Sequence, residues 1–338
     1  MVTSKDVAKE ANVSHMTVSR AFQPDSSIKE ETRKKVLAVA RKLNYIPNYN
    51  AKSLVMNRNF SVGLFFSSME GTSEVFLGDL VSQIYQLLPH NYLLSVNSVD
   101  RINITTGNAY LIQSIIGRFD GIIIATQSEK DDSFIDYLLK LDIPIIVMNR
   151  HMEREDIYNV STNESVGIKD LVAHLSERKI RTAGTIKGFK GFYSSQNRHH
   201  EFVLGCEQAG IEVIDAAIEE GLYNIPSGYE AMKTIIQRNK ILPDIVFCGN
   251  DDMAIGAIKA CNELDIQVPK DLSIVGFDDT SYAQYTSPAL TTVHKPYKEM
   301  AKKSMEILLQ LMSGNELKER KYNIDSKLIV RDSVKISK

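Results

Sequence analysis

Residues 3–58 read TSKDVAKEANVSHMTVSRAFQPDSSIKEETRKKVLAVARKLNYIPNYNAKSLVMNR, and this stretch decides the fold of the N-terminal region. Apolar residues recur at helical spacing in three blocks, separated by Asn12-Val13 and by a loop over 23–28. Thr3 and Ser14 precede the first two blocks, where a side-chain oxygen can cap exposed backbone N–H groups. Two short helices joined by a tight turn and braced by a third are typical of a helix-turn-helix, so the pattern predicts a DNA-binding headpiece.

The charge of this region supports the same prediction. Residues 1–58 hold 11 Lys and Arg against 5 Asp and Glu, a net charge of +6, and the whole chain carries −2, which leaves −8 on residues 59–338. A small basic module on an acidic body is expected of a protein that binds a polyanion, because neutralisation of phosphates supplies most non-specific affinity. A charged three-helix bundle for protein contacts is the weaker alternative.

Length and composition limit the number of domains and the class of protein. The 338 residues leave about 280 after the headpiece, enough for two ordinary domains. No apolar run is long enough for a membrane span, and Lys5, Asp6 and Lys9 interrupt any signal-peptide core. The three cysteines lack a C-x-x-C pairing, which is typical of buried thiols in a reducing compartment. We therefore expect a cytoplasmic protein without a membrane partner, a cofactor or a metal.

From residue 61 onward, short apolar runs alternate with helical stretches. These runs do not alternate strictly between apolar and polar residues, as expected of strands buried on both faces of a parallel sheet. The candidate strands are Ser61–Phe66, Tyr92–Asn97, Gly121–Ala125, Pro144–Asn149, Arg181–Ile186, Ile245–Gly249 and Leu272–Phe277. The fold class is therefore α/β, with two similar lobes and a default ligand pocket in the cleft between them.

Polar residues follow several of these strands. Asn149-Arg150, Asn250 and Asp278 are expected to point from strand ends into one cleft, and Arg198 opens a helix near another strand end. A guanidinium and a carboxylate can each grip vicinal hydroxyls in bidentate fashion, which suits a sugar or a similar polyol. The neighbouring Asp251, Asp252 and Asp279 are interpreted as helix caps.

An ordered set of motifs over nearly the whole chain resembles the lactose/galactose-repressor family of bacterial transcription regulators. The headpiece motifs are Lys5–Arg20, Glu30–Val36, Leu43–Asn48 and Ala51–Leu54; the body motifs are Phe119–Ile124, Asn250–Gly256, Val268–Asp279 and Pro288–Val293. The resemblance implies a helix-turn-helix headpiece and a two-lobed periplasmic-binding-protein-like body of parallel sheets. It divides the chain into a headpiece over 1–47, a hinge helix and linker over 48–59, and an effector-binding and dimerisation domain over 60–338.

Within the body, the resemblance implies that lobe 1 covers about 60–160 and 291–320, and that lobe 2 covers about 161–290 and 321–338. Helix Tyr297–Met312 is expected to return to lobe 1, and Lys327–Val334 to add a strand to lobe 2. Because the chain ends without a leucine-heptad tail, a dimer is expected rather than a tetramer.

The resemblance also assigns roles in DNA binding. Base contacts are implied for His15, Met16 and Arg20, and Leu54 matches a leucine wedge that enters the minor groove from a hinge helix over 49–56. The residues that resemble phosphate contacts, which set register rather than sequence preference, are Thr3, Ser14, Thr17, Ser19, Thr32, Tyr45 and Asn48.

The effector pocket implied by the resemblance lies in the cleft. Its residues are Phe76, Asn149, Arg150, Arg198, Tyr223, Asn250, Asp278 and Tyr297. Glu201 stands where the family has glycine, and Asn149-Arg150 stands where it has Asp-Arg. The resemblance therefore does not predict that this pocket binds the family's common sugars.

The sequence therefore predicts a repressor of carbohydrate-utilisation genes that binds a palindromic operator as a dimer and responds to a sugar or sugar derivative. Two alternatives are a solute-binding protein and a corepressor-dependent regulator of nucleotide metabolism. An enzyme is not expected, because the glycines of residues 184–191 lack the spacing of a phosphate-binding loop and no catalytic motif is present.

Overall fold

The computed structural model describes residues 2–22, 26–46, 58–66, 74–99 and 116–335. The chain divides into two compact units, residues 1–59 and 60–338. Leu54, Asn48 and all but the end of the predicted 48–59 hinge segment lie outside the described residues. Within the described ranges, no helix is long and apolar enough to cross a membrane.

The headpiece consists of three helices, α1 (Ser4–Ala11), α2 (His15–Ala21) and α3 (Glu30–Lys42). The apolar positions that predicted these helices form one small core of Val7, Ala8, Ala11, Val18, Ala21, Val36 and Ala40. Asn12 ends α1 in the left-handed conformation, at φ 50°, which Asn tolerates better than most residues. The tight turn of the predicted helix-turn-helix is thus formed by this residue.

The body contains two six-stranded sheets. Sheet 1 has the order β11-β5-β4-β3-β1-β2 and is parallel throughout; sheet 2 has the order β12-β10-β9-β8-β6-β7, with only β12 antiparallel to its neighbour. The strands of sheet 1 are β1 (Ser61–Phe66), β2 (Leu93–Ser98), β3 (Gly121–Ala125), β4 (Ile145–Met148), β5 (Tyr158–Asn163) and β11 (Lys321–Asp325). The strands of sheet 2 are β6 (Thr182–Lys187), β7 (Glu212–Glu220), β8 (Ile245–Cys248), β9 (Ser273–Asp278), β10 (Thr291–His294) and β12 (Lys327–Ile329).

Helices cover both faces of each sheet, which explains why the central strands are apolar on both sides. The body helices are α4 (Glu74–Leu87), α5 (Asp132–Leu138), α6 (Glu164–Glu177), α7 (Tyr193–Gln208), α8 (Ile225–Arg238), α9 (Asp251–Glu263) and α10 (Tyr297–Met312). Sheet 1 separates two apolar clusters, one of them shared with α4 and α10, and sheet 2 separates two more. The predicted doubly wound α/β architecture with two lobes is confirmed.

Three chain crossings join the two lobes, and all three lie later in the sequence than predicted. The chain passes from β5 in sheet 1 to α6 at residues 163–164, and from β10 in sheet 2 to α10 at 295–296. It crosses again at Ser326, between β11 in sheet 1 and β12 in sheet 2. The boundaries that the resemblance implied at about 160, 290 and 320 therefore divide β5 and assign β10 and β11 to the other lobe, because β5 and β11 pair in sheet 1 as far as Asn163 and Asp325, and β10 pairs in sheet 2 as far as His294.

The crossings are tied to one another by Ser326. Its hydroxyl lies 2.9 Å from the carbonyl oxygen of Asn163 and accepts from the N–H of Gly167 at 3.0 Å. A β-carbon on Gly167 would lie 2.7 Å from the same hydroxyl oxygen, so the close approach requires glycine there. The segment between β5 and α6 is thereby fixed to the segment between β11 and β12.

Candidate functional site

Helix α2 presents a polar surface to solvent and its apolar side to the headpiece core. His15, Met16, Ser19 and Arg20 are exposed, whereas Val18 on the same helix is buried. Met16 exposes 56% of its surface, so its side chain is accessible to a partner. The residues predicted to read bases thus share the accessible side of one helix.

Local contacts position the neighbouring residues that were predicted to meet phosphates. Ser14 caps α2 by accepting from the N–H of Thr17 at 3.1 Å. At the start of α1, Asp6 accepts from both the N–H and the hydroxyl of Thr3, each at 2.8 Å, and these bonds lower the pKa of its carboxyl. Tyr45 packs edge-on against Phe22, with ring centroids 5.8 Å apart. Ser19 and Thr32 remain at least partly accessible.

In the body, three of the predicted effector residues share an uncommon backbone conformation. Asn149 follows β4 with φ 79°, Tyr223 has φ 60°, and Asp278 ends β9 with φ 112°. Side chains other than glycine rarely adopt positive φ, and such strained positions cluster at binding sites. All three side chains are buried, with 6–8% of their surface exposed.

Arg198 is the centre of a buried charge cluster. Its Nε and Nη2 donate to the two oxygens of Glu164 at 3.0 and 2.8 Å, and its Nη1 donates to the carbonyl of Gly249 at 2.6 Å. Its Nη2 lies 3.7 Å from Oδ1 of Asp278, so the predicted pair is within ion-pair distance. The guanidinium carbon Cζ also lies over the ring of Phe277, 3.7 Å from the centroid.

Two members of this cluster were missed from the sequence. Glu164 begins α6 at the first crossing, and Lys295 lies at the second crossing with its ammonium 3.0 Å from Oε1 of Glu164. Burial by itself raises the pKa of the Glu164 carboxyl, but the charges of Arg198 and Lys295 outweigh burial and lower it to about 2. Burial lowers the pKa of the Lys295 ammonium. The sequence signal for Lys295 was its position two residues before Tyr297, which was predicted to line the pocket.

Aromatic side chains flank the charges. Tyr297 donates its hydroxyl to Oδ1 of Asp278 at 2.9 Å and packs against Phe76, with ring centroids 4.7 Å apart. The hydroxyl of Tyr223 lies 3.1 Å from that of Ser194. Gly188 allows this ring to approach, because a β-carbon there would lie 1.9 Å from it. The glycine-rich stretch therefore makes room for an aromatic wall, and no phosphate loop is needed to explain it.

Two predicted effector residues have structural partners instead of a free side chain. Asn250 caps α9 by accepting from the N–H of Met253 at 3.0 Å and donates to the carbonyl of Tyr223 at 3.1 Å. Arg150 places its guanidinium on Asp132. Both residues lie at strand ends as expected, but the start of α9 occupies the amide of Asn250 and an ion pair occupies Nη2 of Arg150.

Asn149 differs from both, because its amide has no hydrogen-bond partner among the described residues although only 7% of the residue is exposed. It lines a polar cavity of about 160 Å³ together with Thr162, Glu164, Ser194 and Asn197. The lobes also touch directly nearby, where the N–H of Tyr193 donates to the carbonyl of Gln127 at 2.8 Å. This arrangement can bind a small polar molecule by hydrogen bonds.

Comparison with known proteins identifies both units of the chain. Residues 3–48 match the model for bacterial regulatory proteins of the lacI family, and residues 172–334 match a periplasmic binding protein-like domain. Among curated proteins, the chain is 38% identical over 336 residues to the "Probable HTH-type transcriptional repressor ExuR" of Bacillus subtilis (strain 168), covering 99% of both. It is 35% identical over 341 residues to the "HTH-type transcriptional repressor PurR" of Serratia proteamaculans (strain 568), covering 99% of this chain and 97% of that protein.

Solved structures of transcriptional regulators have the same fold as this chain. The Lac repressor dimer bound to operator and the anti-inducer ONPF superimposes with a TM-score of 0.81 at 25% identity, covering 98% of each chain. A transcriptional regulator CelR in complex with cellobiose has a TM-score of 0.70 at 22% identity, covering 98% of this chain and 100% of the other, and supports the fold alone.

Proposed function

We propose that this protein represses carbohydrate-utilisation genes. The chain belongs to the lacI family of bacterial regulatory proteins and is a DNA-binding transcriptional repressor, not an enzyme. Members of this family bind operator DNA and small-molecule effectors and function as dimers. Two headpieces of a dimer then read the two half-sites of a palindromic operator. We also propose the cytoplasm as its location, since bacterial operators lie there.

For DNA recognition, we propose that His15, Met16 and Arg20 contact bases and that Leu54 enters the minor groove. The exposure of the first three on one side of α2 supports this assignment. His15 can donate to or accept from a base edge, whereas Met16 offers only packing, for example on a thymine methyl. The proposed phosphate contacts are Thr3, Ser14, Thr17, Ser19, Thr32, Tyr45 and Asn48.

For effector binding, the observation that carries the proposal is the buried pairing of Arg198 with Asp278 at the carboxyl end of sheet 2. Ligands of open α/β sheets bind at this edge. A guanidinium donor beside a carboxylate acceptor suits vicinal hydroxyls, so the proposed effector is a sugar or sugar derivative. Of the eight residues predicted for this pocket, we propose Asn149, Tyr223 and Tyr297 as further contacts, with Phe76 behind Tyr297.

A regulator of nucleotide metabolism is the second candidate. The 35% identity to a PurR repressor favours it, and Tyr223 and Tyr297 offer ring faces on which a planar base could stack. The two candidates differ in what a ligand does: an inducer weakens operator binding, whereas a corepressor strengthens it. Linkage requires DNA to change ligand affinity by the same factor in either case.

The test uses the full-length protein and a palindromic duplex selected from genomic DNA. Anisotropy titrations at fixed salt give the operator affinity with and without each of a set of sugars, sugar acids and purine bases. We expect a sugar or sugar derivative to weaken operator binding at least tenfold. Stronger binding in the presence of a purine base, with no response to sugars, contradicts the carbohydrate assignment.

A variant series locates the response in the cleft. Asp278→Asn removes the acceptor charge with little change of shape, and Asp215→Asn changes an exposed carboxylate on β7 as the matched control. We expect both variants to bind operator like wild type, and only Asp278→Asn to lose the response to ligand. Loss of the response in both, or in neither, argues against this pocket.

A further inference from the structure

Glu164 contacts each of the three crossings that join the lobes. It begins α6 at the first crossing, and its Oε1 lies 3.0 Å from the ammonium of Lys295 at the second. The hydroxyl of Ser326, at the third crossing, lies 3.2 Å from the backbone carbonyl oxygen of Glu164. Segments that are far apart in the sequence therefore converge on one residue, of which only 7% is exposed.

Strand pairing joins the third crossing to each of the other two. On the side of lobe 1, β11 pairs with β5, which leads into the first crossing; on the side of lobe 2, β12 pairs with β10, which leads into the second. Among the described strands, β5 belongs to sheet 1 and β10 to sheet 2, so strand pairing does not join the first crossing to the second. The ion pair between Glu164 and Lys295 makes that link directly.

This link is an ion pair out of contact with water. Burial by itself raises the pKa of the Glu164 carboxyl, but Arg198 and Lys295 outweigh burial and lower it to about 2, so the carboxylate stays charged at neutral pH. Lys295 is 1% exposed, so water does not replace the contact. Breaking a buried ion pair is costly because it leaves a charge uncompensated, and separation of the two crossings is therefore opposed.

The same carboxylate holds a residue of the proposed ligand site. Nε and Nη2 of Arg198 donate to its two oxygens at 3.0 and 2.8 Å, and Nη2 lies 3.7 Å from Oδ1 of Asp278. The backbone of Lys295 is bound on both sides: its N–H donates to the carbonyl of Asp278 in lobe 2 at 3.3 Å, and its carbonyl accepts from the N–H of Tyr297 in lobe 1 at 2.8 Å. A displacement of Arg198 or Lys295 therefore acts on Glu164.

From this convergence we propose that Glu164 is a positioning residue that makes the three crossings move as one hinge, so that a displacement of Arg198 in the cleft reaches all of them together. Hinges absorb domain movement in a few residues between rigid elements, and ties among those residues make their backbone changes interdependent. The inference rests on the proposed function in one respect, that Arg198 faces the ligand. A carboxylate that only neutralised its two cations would leave each crossing able to open independently.

The experiment is hydrogen exchange followed by mass spectrometry on the full chain with no ligand added, because exchange rates report the local opening of each segment. The peptides followed cover the three crossings, residues 160–168, 293–300 and 323–329, with the central strands β3 and β8 as references. Circular dichroism and thermal melts establish that each variant is folded.

The first variants change the partners of Glu164. Lys295→Met removes the ammonium with little change of length, and Lys295→Arg keeps the charge. Arg198→Lys keeps the charge but loses the paired hydrogen bonds to the carboxylate. The matched controls are Lys302→Met and Arg238→Lys, whose side chains are 67% and 58% exposed.

We expect Lys295→Met and Arg198→Lys each to speed exchange at least tenfold in all three crossing peptides, with the central strands unchanged within twofold. Lys295→Arg and both controls should resemble wild type. Acceleration confined to the crossing nearest the substitution, equal acceleration of crossings and central strands, or no acceleration overturns the proposal.

Replacement of Glu164 itself tests whether the effect passes through this residue. Once Glu164→Gln has removed the charge that Lys295 pairs with, adding Lys295→Met should change exchange at the first and third crossings by less than twofold. A tenfold effect of Lys295→Met that persists in this background contradicts the proposal. If Glu164→Gln does not fold, the comparison of Lys295→Met with Lys295→Arg decides.

Failure of this proposal is distinguishable from failure of the proposed function. No small molecule enters the exchange experiment. Operator binding that ignores sugars therefore removes the proposed function, while the exchange rates of the crossings still decide the role of Glu164.

Discussion

Two of the buried carboxylates in the body have opposite surroundings, Glu164 at the lobe crossings and Asp251 at the start of α9. Glu164 meets the guanidinium of Arg198 and the ammonium of Lys295. Among the described residues, Asp251 accepts hydrogen bonds only from neutral donors, the N–H and hydroxyl of Thr280 and the hydroxyl of Thr292. Burial raises the pKa of Asp251 to about 8, whereas the two cations lower that of Glu164 to about 2.

The surroundings of the two carboxylates indicate which one acts on the proposed ligand site. Asp251 fixes the β9 loop and the start of β10 to α9 through hydroxyl and backbone donors, which is a structural task. Glu164 fixes the orientation of Arg198, whose Nη2 also lies 3.7 Å from Oδ1 of Asp278. Partner charge, more than burial, separates the carboxylate that holds the fold from the one that positions the ligand-binding group.

The largest expected effect comes from removing Arg198, a cationic partner of Glu164. Arg198→Ala leaves Glu164 buried with one fewer cation, paired with Lys295, and removes the packing on Phe277. We expect a loss of about 3–5 kcal/mol in the free energy of unfolding of the body, as for other broken buried ion pairs. Urea unfolding at pH 7 measures the change.

Lys259→Ala is the control for that measurement. Its ion pair with Glu263 lies on the surface of α9, with 63% of the lysine side chain exposed, so a loss below about 1 kcal/mol is expected. Similar losses in both variants would show that the cluster around Arg198 has no special energetic weight.

The next effect is expected at Asp251, and unlike the first it depends on pH. The folded carboxyl keeps its proton up to about pH 8, whereas an unfolded aspartate releases it near pH 3.9. Between these values the folded state binds more protons, so this group makes stability fall as pH rises, by up to about 1.4 kcal/mol per unit. Asp251→Asn should remove that part of the slope, as seen in urea midpoints from pH 5 to 8. An unchanged difference between variant and wild type across this range contradicts the raised pKa.

The smallest expected effect comes from removing one neutral donor. Thr292→Val deletes the hydroxyl that lies 2.6 Å from Oδ1 of Asp251. We expect a loss of about 1 kcal/mol, the ordinary net contribution of one hydrogen bond. Thr234→Val on α8 serves as the control because its hydroxyl bonds only to the exposed helix carbonyl of Glu230. A loss as large as that of Arg198→Ala would erase the distinction between the two carboxylates.

The fold was predictable wherever the sequence repeats a physical pattern. The apolar runs at Ser61–Phe66 and Gly121–Ala125 are strands with those bounds, because strands buried on both faces need continuous apolar residues. The edge strand Glu212–Glu220 was not predicted, since its outer positions are exposed and read EVIDAAIEE. Polar β5, which reads YNVSTN, was missed because polar residues such as Asn159 and Ser161 occupy its buried positions.

The site was predictable where a residue ends a strand, and not where distant segments meet. Asn149 and Asp278 follow from strand ends, but Glu164 and Lys295 lie far apart in the sequence and are joined only by the crossings between lobes. The interpretation of Asp251, Asp252 and Asp279 as helix caps was wrong: Asn250 is the cap, and Asp279 pairs with Arg331. Spacing alone does not reveal which polar group at a helix start turns back to cap it.

The central claim is that a ligand held between the lobes controls operator binding, and the most direct measurement is operator anisotropy for wild type and Asp278→Asn across the set of sugars, sugar acids and purines. The predicted result is an operator dissociation constant that rises at least tenfold with a sugar or sugar derivative in wild type and stays constant in Asp278→Asn, with equal affinities when no ligand is present. A variant that releases operator as readily as wild type contradicts the claim.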